Sequence, residues 1–162
     1  MIYLIDDKKE RQKNLGWDKS KLSDFEDVIC PVYSYDEVLS LSSEVIFAEG
    51  NTIAFHESFF DNPLNSKGKK SVEIHQKMID FTKDKSVQMV FFSGSIAARN
   101  MTPNFASLPV SLFYQNLELF ATKYEVLDGL QTKLDLLVYG ADAVAEKSCE
   151  LKQEIWNILY EY

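Results

Sequence analysis

Five short apolar runs, separated by stretches of helical or loop character, constrain this chain to a parallel sheet wrapped by helices on both faces. The first run, Ile2-Tyr3-Leu4-Ile5, ends on two adjacent carboxylates, Asp6-Asp7. Val28-Ile29-Cys30-Pro31-Val32-Tyr33 is the second, and its proline predicts an edge position or irregular pairing. Thr52-Ile53-Ala54-Phe55 and Val87-Gln88-Met89-Val90-Phe91-Phe92 are the third and fourth, and residues 108–114 read as the fifth. Ligands and ions gather at the carboxyl ends of strands in open sheets of this kind. Asp6-Asp7, His56-Glu57-Ser58 and Ser93-Gly94-Ser95 all follow a run, so they are expected at one edge.

Between the runs, residues 8–15 read as a helix that Asp6 or Asp7 can cap, and Gly16 ends it. Residues 17–24 read as polar connection. Ser34 with Glu37 forms a capping box for a short helix that buries Val38, Leu39 and Leu41. Residues 61–70 read as an exposed loop, 71–83 as an amphipathic helix, and 117–127 as a helix after the fifth strand. From Leu130 the apolar positions Leu134, Leu137, Val138, Ala141 and Val144 recur at helical spacing, with a break near Gly140. The pattern then continues through Leu151, Ile155, Trp156 and Leu159. This divides the chain into an α/β unit over 1–127 and a helical extension over 128–162, packed on that unit or used for association.

Composition excludes several function classes. The net charge of −8 repels nucleic acid and anionic membrane at long range, and Lys67-Gly68-Lys69-Lys70 reads as a solvated loop. No apolar run reaches the length of a membrane span, and charge arrives at Asp6 before a secretory core could form. Cys30 and Cys149 match no metal-ligand spacing, and Cys30 reads as a small buried hydrophobe. A reducing, cytoplasmic setting is the expectation.

The succession Ile2-Tyr3-Leu4-Ile5-Asp6-Asp7, Ile53-Ala54-Phe55-His56-Glu57 and Val90-Phe91-Phe92-Ser93-Gly94-Ser95 resembles the receiver domain of bacterial two-component response regulators. The resemblance spans roughly 1–127 and implies a flavodoxin-like, doubly wound, five-stranded parallel sheet with the C-terminal helical segment as an extension. In that family an acidic pair after strand one helps bind magnesium, which Asp6 and Asp7 match. An aspartate after strand three accepts the phosphoryl group, and that place falls here on His56 or Glu57. A Ser or Thr after strand four senses the phosphoryl group, and Ser93 matches it. A lysine followed by proline after strand five pairs with the phosphoaspartate, but Tyr114-Gln115-Asn116 stands there instead. Phe113 or Tyr114 falls near the family's aromatic switch position.

Acyl phosphate chemistry needs a carboxylate nucleophile, and cations to offset charge on the phosphoryl oxygens. Glu57 would carry its oxygen more than about an ångström from an aspartate's, a misplacement that can cost on the order of 10²-fold. The expectation is a degenerate receiver, a pseudo-receiver that is not phosphorylated and is not an enzyme. It would act in signal transduction by protein–protein contact. A histidine-kinase-like ATPase, an effector subunit or a second copy of the chain would be its partner. The competing reading is a magnesium-dependent phosphatase or nuclease using Asp6, Asp7 and Glu57.

For the acids, helix capping competes with metal binding; with Glu57 expected nearby, weak magnesium affinity and capping weigh evenly. For His56 the plain alternative is a half-buried imidazole beside a carboxylate, for His75 surface packing, and for Ser93-Gly94-Ser95 a turn leaving a buried strand. Trp156, Tyr160 and Tyr162 are interface candidates near the terminus. A lysine from elsewhere that reached the acids, Lys123 or Lys133, would overturn the pseudo-receiver reading.

Overall fold

The computed structural model describes residues 1–34, 37, 40, 41, 45, 48–56, 87–102, 105–127 and 130–141. Within them six strands form one mixed sheet: β1 (Ile2–Ile5), β2 (Ile29–Val32), β3 (Thr52–His56), β4 (Gln88–Ser93), β5 (Asn100–Thr102) and β6 (Phe105–Pro109). The order across the sheet is β2-β1-β3-β4-β6-β5. The β1–β2, β1–β3, β3–β4 and β4–β6 pairs are parallel, and β5 pairs antiparallel with β6. The α/β expectation therefore holds, while an all-parallel five-stranded sheet does not. β5 adds an antiparallel edge strand of three residues, too short to leave an apolar signature in the sequence. Pro31 lies in β2, an edge strand as expected.

The fifth predicted strand is displaced. β6 spans Phe105–Pro109, and residues from Val110 onward are helical. The apolar run across 108–114 hides a change of period. Pro109, at φ −58° and ψ 141°, leaves the sheet extended, and Phe113, Tyr114, Leu117, Phe120 and Ala121 then follow helical spacing into the core.

Four helices are described, α1 (Lys9–Asn14), α2 (Lys19–Asp24), α3 (Val110–Lys123) and α4 (Leu130–Tyr139), and the apolar residues of α2, α3 and α4 pack on one face of the sheet. Gly16, at φ +92°, turns the chain out of α1. α2 lies where polar connection was expected. It is short, but Asp18 caps it by accepting from the Lys21 N–H at 2.9 Å, and Leu22 anchors it in the core. The Ser34–Glu37 pair forms as expected. The Glu37 N–H donates to Ser34 Oγ at 3.1 Å, and the Glu37 carboxylate accepts from the Tyr33 N–H at 2.7 Å.

Burial alternates along the strands to both faces. Ile2, Leu4, Ile29, Ala54, Val90, Phe92, Ala106 and Leu108 pack against Trp17, Leu22, Phe113, Leu117 and Phe120, with Leu134, Leu137 and Val138 of α4 in the same cluster. Tyr3, Ile5, Val32, Ile53, Phe55 and Met89 form the core of the other face. Strands covered on both sides read as continuous apolar runs, which is why they were visible in the sequence. α4 ends at Gly140, at φ +87°, where the Gly140 N–H donates to Leu136 O and the Asn116 amide donates to Leu137 O at 2.8 Å. Cys30 is half-buried on the edge strand rather than fully enclosed. Among the described residues no helix is long and apolar enough to cross a membrane.

Candidate functional site

The parallel register brings the sequence-predicted residues to one edge. Ile5 pairs with Phe55, His56 with Phe92, and Ser93 with Pro109, so Asp6, Asp7, His56 and Ser93 all lie at the carboxyl ends of β1, β3 and β4. Glu57, His75, Cys149, Trp156, Tyr160 and Tyr162 lie outside the described residues, as do the helix expected at 71–83 and the pattern beyond Ala141.

Asp6 is fully enclosed and both of its oxygens are engaged. Arg11 donates through Nη2 to Oδ1 and through Nε to Oδ2, the latter at 3.2 Å, in the side-by-side geometry that guanidinium and carboxylate favour. The Tyr114 hydroxyl donates to Oδ2 at 2.7 Å, and the Lys8 N–H donates to Oδ1 at 3.0 Å. Arg11 Nη2 also reaches Asp7 Oδ1 at 3.1 Å, so one guanidinium bridges both acids. Burial pulls the Arg11 guanidinium down. The Asp6 hydrogen bond and the charges of Asp6 and Asp7 outweigh it and hold the group above its ordinary range. The Tyr114 hydroxyl is pushed strongly up by burial and by the Asp6 charge it faces, so it stays a neutral donor.

The expected capping by Asp6 or Asp7 takes a different form. The residue before α1 is Lys8, with extended φ −123° and no side-chain cap, and Asp6 accepts that residue's own N–H. The acid is thereby turned toward Arg11, one turn into α1. A divalent cation bridging these carboxylates would have to displace a guanidinium and two further donors from a buried position. In this arrangement both Asp6 oxygens are engaged by Arg11, Tyr114 and the Lys8 N–H.

His56 is buried and stands edge-on to the Phe92 ring, with centroids 5.5 Å apart. Burial lowers its pKa and Arg11 lowers it further, against the opposing pull of Asp6 and Asp7. A buried, neutral imidazole is a poor substitute for an acceptor carboxylate. The Ser93 hydroxyl lies 3.0 Å from that of Ser95 and accepts the Ser95 N–H at 3.2 Å, closing a local turn. Phe113 stacks on Phe92 at 4.1 Å between centroids, which leaves Tyr114 as the aromatic residue that reaches the acids.

Neither Lys123 nor Lys133 enters this cluster. Lys123 ends α3, far along the helix from its start at the carboxyl edge. The Lys133 ammonium stands 4.3 Å from the centroid of the Tyr124 ring. Tyr124 donates to Gly50 O and meets Thr52 Oγ1 at 3.0 Å, at the amino end of β3. The cation that does reach the acids is Arg11, which the sequence reading missed. Its signal was the acid-then-base spacing of four between Asp7 and Arg11 across the start of a helix. Known protein families, curated proteins and solved structures compared with the chain give no match.

Proposed function

We propose that this chain is a receiver-like module of flavodoxin-like order that has exchanged phosphoryl chemistry for a fixed internal ion pair and acts by binding another protein. The observation that carries the reading is the Asp6 carboxylate, which takes hydrogen bonds from Arg11, Tyr114 and the Lys8 backbone. A working receiver would hold magnesium on this pair and meet the phosphoryl group with a lysine. Here one guanidinium supplies positive charge on the acids, and the Tyr114 hydroxyl, from within α3 and not from the end of β6, is a further donor to Asp6. The strand order β2-β1-β3-β4-β6 over the parallel pairs supports the resemblance in fold. His56 at the end of β3 supports the loss of the acceptor, because its burial favours the neutral ring.

The partner class is a protein of the same signalling logic, such as a histidine-kinase-like ATPase, an effector subunit or a second copy of the chain. The resemblance suggests it, since no described residue identifies it. The phosphatase or nuclease alternative would require Asp6 and Asp7 to release Arg11 before taking magnesium. Incubation of the purified chain with acetyl phosphate and magnesium, followed by intact mass measurement, tests the reading. No stable phosphoryl adduct is expected. Stoichiometric modification at His56 or Glu57 would overturn it.

A further inference from the structure

We draw no further inference here: the strongest candidate, the groove between α1, α2 and β2 floored by Trp17, Leu22, Ile29 and Pro31, carries nothing, because Glu10, Asp18 and Glu26 line it alongside Lys9, Lys13 and Lys19 and nothing in the structure shows what covers it.

Discussion

Replacing Arg11 by Met should destabilise the chain far more than a surface substitution does, and the size of the loss follows from what the guanidinium leaves behind. Asp6 has no exposed side-chain surface and Asp7 only 2%, while Arg11 is 18% exposed. Removing one partner of a buried ion pair costs about 3–5 kcal/mol, because the other charge stays in a poorly hydrated site. The Tyr114 hydroxyl and the Lys8 N–H would still hold Asp6, so the lower end, about 3 kcal/mol, is expected. For a chain of this length that lowers Tm by roughly 6–12 °C. Urea unfolding at neutral pH measures the loss, and Asp6→Asn completes a double-mutant cycle. The Asp6→Asn/Arg11→Met chain should recover most of the deficit, with a coupling energy of about 2 kcal/mol. A loss under about 1 kcal/mol with coupling under about 0.5 kcal/mol would refute the reasoning, because exposed ion pairs give values of that size.

Three further outcomes follow from the same geometry. Tyr114→Phe removes a hydrogen bond to a buried carboxylate and should cost about 1.5–3 kcal/mol in urea unfolding, with the ring packing against Phe92 and Phe113 retained. His56 has a lowered pKa when folded, so the unfolded chain takes up its proton first. Its stabilising contribution is complete above the ordinary value of 6.5 and fades as pH falls through the lower folded value, and His56→Asn should flatten that part of the stability–pH curve. Gly140→Ala places a side chain at φ +87°, where nothing crowds it but the backbone is strained, and should lower stability by about 1 kcal/mol in thermal unfolding.

Much of the sheet could be read directly, since strands buried on both faces are continuous apolar runs. Ile2–Ile5, Thr52–His56 and Gln88–Ser93 fall within a residue of their expected bounds. The errors have local causes. The run through Pro109 joins the end of a strand to the start of a buried helix, and apolar character alone does not separate the two. α2 has one buried anchor, Leu22, and depends on a cap, so its periodicity is too weak to register. At the site, the acids, His56 and Ser93 were legible because each follows a strand. The cation was not, because the resemblance places a lysine after the fifth strand, whereas here the charge comes from Arg11 in the helix after the first.

The central claim is that Arg11 holds the acids against any metal. Calorimetric titration of the intact chain with magnesium chloride tests it most directly. No saturable binding is expected for the parent chain into the millimolar range, while Arg11→Gln should acquire measurable affinity as the carboxylates are released. Saturable magnesium binding by the parent chain that disappears in Asp6→Asn would contradict the account.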